Sequence, residues 1–189
     1  EILLTTNVNL LASQRIVRAL YPYMQRIKNG DAGQLEVPDV GACIVNISSI
    51  LGFIGLPFTG YYCVTKAATS MFSHVLRREL YKKKIRVSVI EPGTIDTSIL
   101  YLKPFVLGTE FDSEATSSGK SWDALVAQSK RKNPPSYIAS LVAKCLFHHR
   151  NSGHEGIERI VGESHWPEFL VFHIFSWLPH CVADMILRL

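Results

Sequence analysis

The stretch from Gly41 to Lys66, GACIVNISSILGFIGLPFTGYYCVTK, decides how the chain is read. Gly41 to Ile47 is a short apolar run rich in β-branched residues that ends in Ser48 and Ser49. This is the pattern of a buried strand that delivers serines at its carboxyl end. Gly52, Gly55, Pro57 and Gly60 then mark a loop of about a dozen residues, and a helical pattern starts near Tyr61. From Ala67 to Leu80 apolar and small residues recur at helical spacing, and Lys82, Lys83 and Lys84 complement the negative end of that helix. Ile85 to Ile90 alternates as a second strand and stops at Glu91-Pro92-Gly93. Strand, loop, helix, strand is the βαβ unit of a parallel sheet, so the expected fold class is α/β.

Within this unit Tyr62 and Lys66 stand four residues apart, one helical turn, and therefore share a face. Ser49 lies thirteen residues before the tyrosine. A phenol with a pKa of about 10 transfers protons poorly at neutral pH, and a cation held beside it favours the phenolate. The expectation is that Lys66 depresses the Tyr62 pKa while Ser49 donates to a substrate oxygen.

Asn46-Ile47-Ser48-Ser49, Tyr62-Cys63-Val64-Thr65-Lys66 and Pro92-Gly93-Thr94-Ile95-Asp96-Thr97 together resemble the short-chain dehydrogenases/reductases. They are similar to that family's serine strand, Tyr-x-x-x-Lys helix and Pro-Gly-x-x-x-Thr loop, in the family's order. The resemblance implies a doubly wound, Rossmann-type parallel sheet and a nicotinamide cofactor, NAD or NADP. It assigns catalytic roles to Ser49, Tyr62 and Lys66 and, upstream, to Asn9, which would hold a water for proton relay. Asn7 is an alternative two residues away, and a second reading makes Asn7-Val8-Asn9 the cap of a helix from about Leu10 to Lys28. Cofactor contacts are implied for Tyr62, Lys66, Pro92, Gly93, Ile95 and Thr97. Gly55-Leu56-Pro57-Phe58, Tyr62-Cys63, Arg77-Arg78-Glu79-Leu80 and an apolar tail resemble the retinol and hydroxysteroid dehydrogenase branch. The implied substrate is thus an apolar alcohol or its ketone or aldehyde, such as a retinoid, steroid or other lipid.

That family's entrance for the dinucleotide is a Gly-rich turn whose backbone N–H groups hold the pyrophosphate. No G-x-G-x-x-G and no Gly-x-x-x-Gly-x-Gly occurs here. The expectation is therefore one partial domain over residues 1–189, the carboxy-terminal part of a longer enzyme whose first strands precede Glu1, inactive by itself. A homodimer is expected of the full-length parent. The rival expectation is a non-catalytic scaffold that retains a dehydrogenase remnant.

Length and composition bound the other classes. With 189 residues, 47% hydrophobic and 19% charged, the chain is long and apolar enough for a core and is not a disordered chain. A net charge of +4 without any nucleic-acid module pattern argues against nucleic acid as a partner. Cys43, Cys63, Cys145 and Cys181 lack C-x-x-C spacing and read as buried free thiols, and the seven histidines lack a metal-ligand pattern. Asn46-Ile47-Ser48 matches a glycosylation acceptor but falls at the end of the buried strand, where it would be inaccessible.

Residues 29–40 read as an exposed insertion, since the median connection is only ~4–6 residues. Residues 98–121 lack periodicity and, by the resemblance, form a substrate lid. Trp122 to Lys132 and Ser136 to His149 read as helices, and Glu158 to Gly162 as a final short strand. The apolar tail, 166–189, is too short in its greasiest run to cross a ~30 Å hydrocarbon core. It reads either as core and pocket wall or as an interfacial segment anchored by Trp166, Trp177 and Arg188, which would place the parent on an intracellular membrane such as the endoplasmic reticulum.

Overall fold

Three short strands lie side by side in the order β1 (Cys43–Ile47), β2 (Arg86–Glu91), β3 (Arg159–Val161), every pair parallel. The computed structural model describes residues 2–28, 42–55, 59–98, 133–147 and 159–161. β1 and β2 pair from Cys43 opposite Arg86 to Ile47 opposite Ile90, and β2 and β3 from Val89 opposite Arg159 to Glu91 opposite Val161. The crossovers carry helix α3 (Gly60–Tyr81) between β1 and β2 and helix α4 (Pro135–Phe147) between β2 and β3. Both expected strands and the central helix therefore form within a residue or two of their predicted limits, and the predicted final strand forms as β3.

Alternation along the strands divides the sheet into two dressed faces. Ile44 and Val87 look toward one side, where Leu76 and Leu80 of α3 and Ile85 complete a buried cluster backed by Val17, Tyr21 and Met24 of α2 (Ala12–Lys28). Val45 and Ile90 look toward the other, packing on Leu141, Cys145, Ile138 and Val142 of α4. Each fully buried aliphatic side chain stabilises such a core by roughly 1.5–3 kcal/mol. Helices on both faces of a parallel sheet are the doubly wound arrangement that the family resemblance implies.

Two helix ends are closed by local chemistry. The Arg86 guanidinium, at the start of β2, donates from Nη1 to the Cys145 carbonyl at 2.9 Å and from Nη2 to the Leu146 carbonyl at 3.3 Å, satisfying the open end of α4. At the end of α3, Ile85 N–H donates to the Leu80 carbonyl and Lys84 N–H to the Tyr81 carbonyl. Lys84 there takes a φ of 56°, the left-handed position usually given to Gly. The lysine run thus does more than meet the helix dipole: its third residue makes the turn that launches β2.

One expectation is corrected. The helix bearing Asn9 does not begin at Leu10 under an asparagine cap. Chain residues are already helical from α1 (Ile2–Thr6), pass through a π turn at Asn7–Leu11 and continue as α2. A cap needs unpaired N–H groups at a helix start, and the preceding helical turn has removed them. Asn9 instead lies in a widened turn, a feature that often marks functional positions.

The expected insertion at 29–40, nearly all of the expected lid at 98–121, the helix at 122–132 and the tail at 166–189 lie outside the described residues. Among the described residues, no helix is long and apolar enough to cross a membrane. Cys43, Cys63 and Cys145 are free thiols, of which Cys145 is buried and the other two half-buried. Asn46 is buried with its amide donating to Ser73 Oγ at 2.9 Å, which explains why the acceptor sequence around it is inaccessible.

Candidate active site

β1 ends at Ile47, and the chain turns into a single 3-10 turn, Ile50–Gly52. Ser49 stands at the junction in an extended conformation (φ −165°, ψ 155°), its Oγ accepting from Leu51 N–H at 3.2 Å. That contact occupies an acceptor site on the hydroxyl and leaves its one proton to donate. The Ser49 side chain lowers the Tyr62 pKa, the sign expected of a hydroxyl that stabilises the phenolate. Tyr62 occupies the first turn of α3 and Lys66 the second, with the ammonium 5.6 Å from the centre of the Tyr62 ring and donating to the Ile47 carbonyl at 3.1 Å. Three residues predicted from sequence are therefore gathered at one strand end.

The electrostatics differ from the expectation. Tyr62 is held above the ordinary phenol value, chiefly because burial disfavours the phenolate, with Ser49 opposing and Cys63 adding to the rise. Burial also pushes Lys66 below the ordinary lysine value. The anticipated net depression of Tyr62 by Lys66 does not occur in this arrangement, because the desolvation that strengthens a charge pair penalises each charged form first. The opposing contribution comes from the serine hydroxyl.

Asn9 reaches the site from behind. Its amide donates to Thr65 Oγ1 at 3.1 Å, and Thr65 Oγ1 donates to the Tyr62 carbonyl at 2.9 Å. Thr69 Oγ1 lies 3.0 Å from the Asn9 carbonyl, so the π turn is pinned to α3 from both its side chain and its backbone. Asn7 Oδ1 accepts from Arg15 at 3.4 Å on an exposed surface. Of the loop after β2, Pro92 touches the site through its carbonyl, which accepts from Ile50 N–H at 3.0 Å. Ile95 instead bridges to Asn133, and Asp96 N–H donates to the Asn133 carbonyl at 2.9 Å. Gly93 and Thr97 are half-buried along this same path.

Sequence reading missed the supports. Thr65, Thr69 and Ser73 are buried along one stripe of α3, their hydroxyls bonded to carbonyls three or four residues back. Hydroxyl residues repeating every fourth position on a helix are a legible sign of a close, polar packing face. Gly52 is a second support: a Cβ there would lie 3.0 Å from the Lys66 carbonyl carbon and 3.1 Å from Ala67 N. A side chain there would force the Ser49 turn and the backbone of α3 apart by a few tenths of an ångström. Among the described residues, no group of His, Cys, Asp or Glu is arranged to hold a metal ion.

The family profile of the short chain dehydrogenases matches residues 2–103, the segment that carries Asn9, Ser49, Tyr62, Lys66 and the Pro92 loop. The chain belongs to the short-chain dehydrogenase family. It is 32% identical over 154 residues to 17-beta-hydroxysteroid dehydrogenase type 6 of Rattus norvegicus, a match covering 77% of this chain and 47% of that protein. It is 26% identical over 198 residues to retinol dehydrogenase 16 of Homo sapiens, covering 96% of this chain and 54% of that protein. This short-chain dehydrogenase thus spans about half the length of the curated relatives it matches. Among solved structures, a short chain dehydrogenase from Burkholderia cenocepacia J2315 in complex with NADP superposes with a TM-score of 0.56 at 18% identity, covering 96% of this chain and 56% of that one. At that identity the likeness concerns the fold.

Proposed function

We propose that the chain carries the acid/base half of a nicotinamide-dependent oxidoreductase that interconverts an apolar alcohol, such as a retinoid, steroid or other lipid, with its ketone or aldehyde. The single observation that carries this reading is the gathering of Ser49, Tyr62 and Lys66 at the end of β1, with the half-buried Lys66 ammonium 5.6 Å from the centre of the Tyr62 ring. Family membership and the hydroxysteroid and retinol names of two relatives support the reaction and substrate class.

The donor set suits the ribose end of such a cofactor. An ammonium has three N–H donors, and Lys66 directs one at the Ile47 carbonyl, leaving donors for ribose hydroxyls. Pro92, Gly93, Ile95 and Thr97 would line the nicotinamide side. Bound nicotinamide supplies or accepts a hydride at its C4. In oxidation Tyr62 Oη takes the proton of the substrate hydroxyl, and in reduction it returns that proton to the carbonyl oxygen. With substrate bound, the one Ser49 proton would turn from the Tyr62 oxygen to the substrate oxygen and orient it, while burial of both groups keeps bulk water from competing. Asn9 contributes by fixing the Thr65 turn between Tyr62 and Lys66 and, as the resemblance implies, by holding a water for proton relay.

The sequence holds no Gly-rich pyrophosphate turn, so a polypeptide of these 189 residues binds NAD or NADP weakly and turns over little by itself. The apolar tail and the basic runs Lys82-Lys83-Lys84 and Lys130-Arg131-Lys132 support attachment of the whole protein to an anionic membrane surface. Exposed Val64, Met71 and Val75, spaced along one stripe of α3, support a homodimer.

The test is Tyr62→Phe in the full-length protein, assayed by nicotinamide absorbance with a retinol or hydroxysteroid substrate. Turnover falls by at least about a hundredfold, the low end of general acid–base contributions, while cofactor affinity stays nearly constant. Retained turnover would refute the acid/base assignment.

A further inference from the structure

A buried polar chain runs behind the site. Ser48 Oγ lies 2.8 Å from the Lys66 carbonyl, Ser70 Oγ lies 2.8 Å from Ser48 Oγ, and Ser70 Oγ lies 2.7 Å from Glu91 Oε1. Ser48 and Glu91 are almost wholly buried, with 3% and 1% of their surface exposed. A carboxyl group so deep in a fold is retained at a cost in desolvation, which the hydroxyl in contact with it offsets.

The chain's three members sit at three telling places. Ser48 immediately precedes Ser49 at the end of β1. Ser70 stands one turn after Lys66 on α3. Glu91 closes β2 immediately before Pro92. On the same seam Ser48 N–H donates to the Ile90 carbonyl at 2.7 Å and Ile50 N–H to the Pro92 carbonyl at 3.0 Å, while Gly52 rests against the Lys66 peptide. We propose that the Ser48, Ser70 and Glu91 side chains are positioning residues that hold the serine turn, the Tyr62 and Lys66 helix and the Pro92 loop in one register. This inference rests on the oxidoreductase reading for its catalytic consequence.

At this end the three elements meet through buried polar side chains as well as through the buried Ile50, Ile54 and Ile90. The buried polar positions nearby are Asn46, Ser48, Ser49, Thr65, Thr69 and Glu91, whereas the aliphatic cluster of Ile44, Leu76, Leu80, Ile85 and Val87 lies toward the opposite end of the sheet. Apolar contacts also leave two packed elements free to slide by fractions of an ångström; hydrogen bonds between buried groups do not, because a displaced group is left unpaired. Proton transfer between Tyr62 and a substrate oxygen depends on such fractions, since a displacement near 1 Å costs on the order of a hundredfold in rate.

The experiment compares Ser70→Ala, Glu91→Gln and, as a control on an exposed helix surface, Ser140→Ala in the full-length protein. Steady-state kinetics with NAD or NADP and amide hydrogen exchange at Ile50 are measured on each. Ser70→Ala lowers kcat by about tenfold or more with KM for the cofactor within about threefold, and speeds Ile50 exchange about tenfold without a matching loss of global stability. Glu91→Gln, which keeps a carbonyl oxygen for the Ser70 hydroxyl, stays within about threefold of the wild type in kcat and exchange. Unchanged turnover in Ser70→Ala, or Ile50 exchange that tracks global unfolding as in Ser140→Ala, would overturn the inference. If the unaltered protein shows no nicotinamide-dependent turnover, the oxidoreductase reading fails, and the exchange measurement still decides whether this chain holds the seam together.

Discussion

Gly52→Ala is the sharpest probe of how the site is assembled. The added Cβ would stand 3.0 Å from the Lys66 carbonyl carbon, 3.1 Å from Ala67 N and 3.1 Å from the Lys66 oxygen. All three are backbone atoms of α3, so no side chain can swing away to make room. Ordinary contact begins near 3.4 Å, so the turn and the helix must separate by about 0.4 Å, the difference between 3.4 and 3.0. Overpacking of this kind costs about 1–3 kcal/mol in stability. The separation moves the turn that carries Ser49, three residues before Gly52, away from the helix that carries Tyr62 and Lys66. Turnover should therefore fall by about tenfold, beyond what the fraction unfolded explains. Urea unfolding of the full-length protein followed by tryptophan fluorescence gives the stability, and kcat at a temperature where both proteins are fully folded gives the catalytic part. Gly60→Ala is the companion measurement: nothing lies within 4 Å of its Cβ position at the start of α3, and the substitution should be neutral or stabilising. A Gly52→Ala protein with stability within about 0.5 kcal/mol of wild type and unchanged kcat would refute the claim that the Ser49 turn bears directly on the Lys66 peptide.

The remaining predictions concern the titrating pair. Lys66→Met should leave the protein at least as stable as wild type at neutral pH while removing turnover, because burial disfavours the ammonium in the folded state. The sign follows from linkage: a depressed folded-state lysine contributes stability that is present above its unfolded pKa and lost as pH falls through the folded one. The wild type should therefore gain on Lys66→Met as pH rises through that window, as read from paired denaturation curves; a constant difference across it would contradict the burial penalty. Ser49→Ala removes the donor that lowers the Tyr62 pKa, so the limb of the pH profile for alcohol oxidation should move to higher pH, with kcat lower throughout. A limb that stays in place would mean that Ser49 does not bond the phenolate.

What the sequence determined by itself is the class of the fold and the spacing that brings Ser49, Tyr62 and Lys66 together. Alternation and apolar runs set β1 and β2, the glycines and prolines punctuated the loops, and one helical turn of spacing required that Tyr62 and Lys66 share a face; these are local properties, fixed by backbone periodicity. The helix start near Asn9 was not legible, because whether an asparagine caps a helix or sits inside one depends on whether the preceding turn is helical, which no motif at Asn7 to Asn9 records. The direction of the Tyr62 shift was not legible either. Spacing brings a cation near, but only the folded protein says how much water has left, and here burial outweighs the nearby donor. The same holds for Ser48, Ser70, Glu91 and Gly52, residues distant in sequence whose contacts arise only when β1, α3 and β2 meet. Periodicity is a property of a segment, whereas desolvation and hydrogen bonding between segments belong to the packed whole, so the chemistry could be named from the chain while its tuning could be read only from the tertiary structure.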